Sequence, residues 1–156
     1  MSKYLSVFLI SMIPIVELRG AIPIAVGMGL PYIPALALCV LGNMVPVPII
    51  YFFARKFLIW GAGKKYIGRI CSFFLLKGER AGHKLVAKTG RGGLVFALFL
   101  FVAIPVPGTG AWTGTLGASF LDIGFKSTVI AVCAGVLLAG VIMAVASTGI
   151  FSIIGL

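Results

Sequence analysis

Apolar residues fall along the chain in four blocks, separated by Gly- and Pro-rich stretches and by one long polar stretch. Two blocks, residues 35–54 and 128–154, reach the roughly 20 residues that a helix rising about 1.5 Å per residue needs to cross a hydrocarbon core. They predict two membrane-spanning helices. The other two, residues 4–16 and 94–106, each supply about 20 Å of helix against a core of about 30 Å. Both run into prolines and glycines instead of a polar loop: Pro14, Gly20, Pro23 and Gly27 after the first, Pro105, Pro107, Gly108, Gly110 and Gly114 in and after the second. Proline removes a backbone donor and glycine weakens a helix, so each short block is expected to break inside the membrane and turn back as a re-entrant hairpin.

The order of short block, broken segment and full span occurs twice, which predicts an internal repeat. Ile13, Pro14, Ile15 and Val16 line up with Ile104, Pro105, Val106 and Pro107; Gly20 and Ala21 with Gly110 and Ala111; Val26 and Gly27 with Leu116 and Gly117. A hairpin starts and ends on one side whereas a span crosses, so two such units joined by one polar loop face opposite ways. The expected fold class is all-α: an integral membrane protein with two inverted repeats, each a re-entrant helical hairpin followed by a transmembrane helix. The single membrane domain 1–156 divides into repeat 1 (1–54), a basic amphipathic linker (55–92) and repeat 2 (93–156).

Composition agrees. The chain is 61% hydrophobic and 10% charged, too apolar for a soluble domain of 156 residues to bury. Its net charge of +10 would suggest nucleic acid as a partner, were it not that ten of the thirteen Lys and Arg lie between Arg55 and Arg91. That clustering marks a cytoplasmic loop, and nucleic acid is not expected as a partner. Within it Tyr66, Ile67, Ile70, Phe73 and Phe74 recur at near-helical spacing, as in a helix lying on anionic headgroups, where it can serve as a topology anchor. With this loop inside, both ends of the sequence are expected outside. Cys39, Cys71 and Cys133 have no metal-like spacing and read as small buried hydrophobes, and His83 stands alone, so no metal and no cofactor are expected. The apolar run after Lys3 resembles a leader, but Glu17 and Arg19 occupy the place of a cleavage site.

Glu17 and Arg19 are the sharpest chemical feature, because a charge at bilayer depth costs about 2.5–3.5 kcal/mol even on lenient insertion scales. Residues two apart do not face each other on a helix, so either the backbone unwinds and they pair, or each finds a partner elsewhere. Glu17 suits a proton carrier and Arg19 an anion clamp; the alternative is a fixed ion pair tying the hairpins together. In the second broken segment Pro105, Pro107, Gly108, Thr109, Gly110, Trp112 and Thr113 form a sharp bend with little bulk. A half-helix starting near Thr109 would point its amides, helped by the Thr109 and Thr113 hydroxyls, at an anionic group, or else simply pack as a hairpin tip. Trp112 can stack on a substrate or sit in an aromatic belt. Asn43 with Pro46 and Pro48 marks a kink in the first span, its carboxamide serving the freed carbonyls or a polar pathway. Ala131, Gly135 and Ala139 repeat every four residues, a face for close packing within the protein or against a second copy. Asp122 reads as an interfacial acid or helix cap.

The strings Glu17-Leu18-Arg19-Gly20-Ala21-Ile22-Pro23 and Ala103-Ile104-Pro105-Val106-Pro107-Gly108-Thr109-Gly110-Ala111-Trp112-Thr113-Gly114 resemble the two signatures of the prokaryotic small multi-drug export protein family. That family is similar in plan to the DedA and SNARE-associated membrane proteins. The resemblance implies two oppositely facing re-entrant hairpins, a multi-pass protein of the prokaryotic cell membrane, and proton-linked transport or lipid translocation. The expected function is a small export protein or secondary transporter, with protons as the coupling ion and Glu17, Arg19, Pro23, Asn43 and the 105–113 turn lining a midplane site. A DedA-like lipid scramblase or flippase and a non-catalytic assembly factor are the alternatives. No enzyme is expected, since neither a supported nucleophile nor paired carboxylates occur. Membrane lipids, a small-molecule or lipid substrate and a second copy of the chain, as a homodimer or larger oligomer, are the expected partners.

Overall fold

A computed structural model describes residues 3–14, 16–106 and 109–154 of the chain. Among the described residues there are seven helices and no strand: α1 (Lys3–Ser11), α2 (Glu17–Gly27), α3 (Tyr32–Met44), α4 (Pro46–Ala62), α5 (Gly68–Ala103), α6 (Ala111–Phe120) and α7 (Phe125–Ile154). Among the described residues two helical stretches are long and apolar enough to cross a membrane, Tyr32–Ala62 and Phe125–Ser147.

The first is α3 and α4 in series. Val45 between them keeps helical angles (φ −57°, ψ −46°), so the run continues without folding back. The two helices meet where Pro46 and Pro48 remove the donors that would bond back to Gly42 and Met44. The helix continues past the expected end at residue 54, through Arg55 and Lys56 to Ala62. A hydropathy reading stops at the first charge, whereas Arg and Lys are good helix formers whose stems lie along apolar surface. The second span starts slightly before residue 128, its first turn tied by the Thr128 hydroxyl, which donates to the Ile123 and Gly124 carbonyls at 3.3 and 3.1 Å.

Residues 55–92 do not form one separate helix. Their first part completes α4, a turn follows, and the remainder opens α5, which runs on into the short apolar block that ends at Ala103. Gly90, at φ 70° and ψ 170°, interrupts α5 between its basic and apolar arms, a conformation that residues with a Cβ rarely take. Tyr66, Ile70, Phe73 and Leu76 in the basic arm and the turn before it are exposed.

The short and long helices of each half meet through a glycine. A Cβ on Gly42 of α3 would lie 2.6 Å from the Phe8 carbonyl oxygen of α1 and on the Ser11 hydroxyl. A Cβ on Gly135 of α7 would lie 2.9 Å from the Phe99 carbonyl oxygen of α5 and 2.8 Å from the Cβ of Val102. The small face of Ala131, Gly135 and Ala139 is therefore buried inside the protein, with Gly135 against α5. The halves are joined crosswise, α2 packing on α7 and α6 on α4.

Candidate functional site

The site is built where the two broken segments meet. After Ala103 the chain leaves the helix at Ile104 (ψ 118°), passes Pro105, and re-enters a helix at Ala111. This leaves two sets of unpaired backbone groups: the last carbonyls of α5 and the first amides of α6. Both are met from the first broken segment.

Arg19 of α2 reaches the carbonyl side. Its guanidinium donates to Val102 at 3.1 Å and Ile104 at 2.9 Å, and also to the carbonyls of Val106 and Thr109. A fork of five N–H donors can gather carbonyls that no single ammonium would reach together. Glu17 serves the amide side. The backbone N–H of Trp112, in the first turn of α6, donates to its Oε1 at 3.2 Å. The carboxylate lies so close to the Cα of Gly110 that a Cβ there would coincide with it. A carboxylate at this place satisfies orphan donors and meets the positive end of the helix dipole. Glu17 holds it with φ at 49°, in the left-handed region that non-glycine residues seldom occupy, at a cost on the order of 1 kcal/mol.

Of the two arrangements open to Glu17 and Arg19, the second is therefore found: they form no ion pair with each other, and each grips the opposite end of the second broken segment. The α6 amides do face an anion, and that anion is the protein's own. The half-helix begins two residues later than expected, with Gly110 as its cap. The two threonine hydroxyls do not help at the carboxylate: Thr109 donates to Ile104 at 2.8 Å and Val106 at 2.9 Å, and Thr113 accepts from the Gly110 amide at 3.0 Å.

A cavity of about 10 Å³ lies against this arrangement, lined by Glu17, Arg19, Asn43, Val102, Gly110 and Val136 among others. Asn43 is 2% exposed, and its Oδ1 has no hydrogen-bond partner among the described residues. This acceptor is not used on the carbonyls freed by Pro46 and Pro48, which need donors. Pro23 lies inside α2, away from these contacts, and Pro107 and Gly108 fall outside the described residues. Trp112 turns its ring to the other side, into an apolar groove of about 410 Å³ shared with Pro14, Ile50, Phe53, Phe57 and Leu116. Its Nε1 is buried without a partner among the described residues.

A second polar contact escaped the sequence reading. Tyr51 of α4 donates its hydroxyl to the Ile123 carbonyl, Ser119 of α6 donates to the Tyr51 carbonyl at 2.9 Å, and Arg55 pairs with Asp122. Together they clasp α4 to the turn between α6 and α7. Asp122, expected as an interfacial acid or cap, is thus one half of an ion pair, and it too has a positive φ, 57°. Only the charges of Arg55 and Asp122 stand out in the sequence; nothing there singles out Tyr51 or Ser119.

No curated protein and no solved structure matches the chain. The model of one family does, that of "Putative small multi-drug export protein", over residues 17–142. The match begins at Glu17 and takes in both broken segments, the basic stretch and most of α7. Joined to two helices of membrane-crossing length, it places the chain among membrane proteins. The chain belongs to the small multi-drug export protein family.

Proposed function

We propose that the protein is a small secondary transporter working in export, with two inverted repeats of a re-entrant hairpin and a span, in which Glu17 binds the coupling proton. The observation that carries this reading is the Glu17 carboxylate seated on the first turn of α6. Protonation discharges a carboxylate and removes its attraction to a helix N-terminus. Loading a proton on Glu17 would therefore loosen the grip of the first segment on the second and free the α6 amides. The cavity beside Glu17 is too small for a substrate, which fits a closed state of such a cycle. The groove on the far side of Trp112 has the volume of a small-molecule site and an apolar lining, which points to an apolar substrate.

The repeat is supported by packing. Phe8 and Phe99, whose carbonyls receive the two close glycines, have the same separation in sequence as Ile13 and Ile104, and so do Ser11 and Val102. The hairpins are supported by length, since the nine residues of α1 span only about 14 Å.

In vesicles bearing the protein, a pH gradient should drive substrate flux, and Glu17→Gln should abolish that dependence. Lipid exchange that needs no gradient and survives Glu17→Gln would replace this reading with the scramblase. Single cysteines introduced at positions 18 and 109 should be labelled from opposite sides of the membrane. Labelling of both from one side would end the inverted-hairpin plan.

A further inference from the structure

We propose that one water molecule is a fixed part of this protein, held in the cavity between α2, α3, α5, α6 and α7, with hydrogen bonds to Asn43 Oδ1 and to the Glu17 carboxylate. The inference concerns the site of the proposed function and gives Asn43 the part of a positioning residue for Glu17. Size, chemistry and burial support it separately. At about 10 Å³ the cavity is at the lower limit for a single water and below that for anything larger. The polar side chains on its wall are those of Glu17, Asn43 and Arg19. An occupant that donates would serve both the Glu17 carboxylate and the unpartnered Asn43 Oδ1. A metal ion is disfavoured by the neighbouring guanidinium and by the two oxygen-bearing side chains, against the six or more oxygens that hard cations gather.

Asn43 supplies the independent pointer to a ligand. A carboxamide oxygen shut away from solvent without a partner costs on the order of 1–3 kcal/mol, which a bridging water would recover. Glu17 is likewise buried, at 6% exposure, and uses Oε1 on Trp112. The charged groups facing the cavity are Glu17 and Arg19 of α2; α3, α5, α6 with its cap, and α7 contribute Asn43, Val102, Gly110, Ala111, Val136 and Ala139. A water here would give the acid a local exchange partner and hold its carboxylate between two hydrogen bonds.

Radiolytic hydroxyl-radical labelling of the full chain in lipid nanodiscs, read by mass spectrometry, tests the proposal, because bound water generates radicals beside otherwise inaccessible side chains. Val136 and Val102, which line the cavity, should be oxidised several-fold more than Val132 and Val47, which are as deeply buried and do not line it. Asn43→Leu should bring Val136 down to the level of Val132, and Asn43→Asp, which keeps an acceptor, should not. Equal labelling of Val136 and Val132 in the unaltered chain overturns the proposal without any variant, as does a Val136 excess that persists in Asn43→Leu. If Asn43→Leu unfolds, Val132 and Val47 will rise with Val136, and the decision then rests on the unaltered chain and Asn43→Asp. The labelling reads hydration and not flux. A wet cavity with pH-insensitive transport would leave the water in place and sink the proton-coupled reading alone; a dry cavity with coupled transport would do the reverse.

Discussion

The two broken segments divide the chemistry unequally. The first brings an acid and a base on side chains, Glu17 and Arg19, whereas the second offers mainly backbone: the carbonyls of 102, 104, 106 and 109 and the amide of 112. The same division recurs in the helices behind them: Ser11 lies against Gly42 in the first half where Val102 lies against Gly135 in the second, and Asn43 follows Gly42 where Val136 follows Gly135. Backbone groups freed where a helix breaks away from water must be satisfied from within the protein. Here one half has become the polar partner of the other, so the charges that mark a candidate pathway also hold the fold together.

The most damaging test of this division is Arg19→Met. It removes the charged donor from four carbonyls, of which Ile104 and Val106 keep the Thr109 hydroxyl, and with charge-assisted hydrogen bonds worth about 1.5–3 kcal/mol each the fold should be strongly destabilised. Unfolding in lipid nanodiscs measures it, and Arg19→Lys should rescue little because one ammonium cannot span the fork. A stable Arg19→Met protein would mean that the second segment holds itself.

Gly110→Ala comes next. Its methyl would displace the Glu17 carboxylate, costing about 1–3 kcal/mol as overpacking does and ending the proposed proton-driven flux. In a double-mutant cycle with Glu17→Ala the two losses should fall well short of additive, as expected for groups in contact. Additive losses would separate the acid from the cap. Gly42→Ala and Gly135→Ala sharpen the equivalence of the halves: each should cost about 1–3 kcal/mol, and by similar amounts. Gly117→Ala is the control, since a Cβ there meets nothing within 4 Å and should be neutral or stabilising by up to about 1 kcal/mol. The smallest effect is expected at Asp122→Ala. With side chains 35% and 60% exposed, the Arg55–Asp122 pair should contribute no more than about 1 kcal/mol, less at high salt, in the same unfolding measurement.

Much of the plan was legible in the chain. The two long apolar blocks, the short ones that end in Pro and Gly, and the helix boundary marked by Pro46 and Pro48 are local signals, and local patterns survive folding. The closely packed face of Ala131, Gly135 and Ala139 was readable too, though not whether its partner was α5 or another copy. One boundary was missed because charge was taken as the end of a helix: α4 carries Arg55 and Lys56 through to Ala62. The partners of Glu17 and Arg19 lay beyond any local reading, since the groups they bind are backbone atoms far along the chain with no side-chain signature. For the same reason the expected anion at the start of α6 was visible as a need, and its source was not.

The contact between Glu17 and Gly110 also bears on how this chain can change over generations. An acid can stay at position 17 only while position 110 has no side chain, and a larger residue becomes tolerable at 110 only after the acid is gone. The two sites are thus expected to drift as a linked pair, although each lies in a different broken segment.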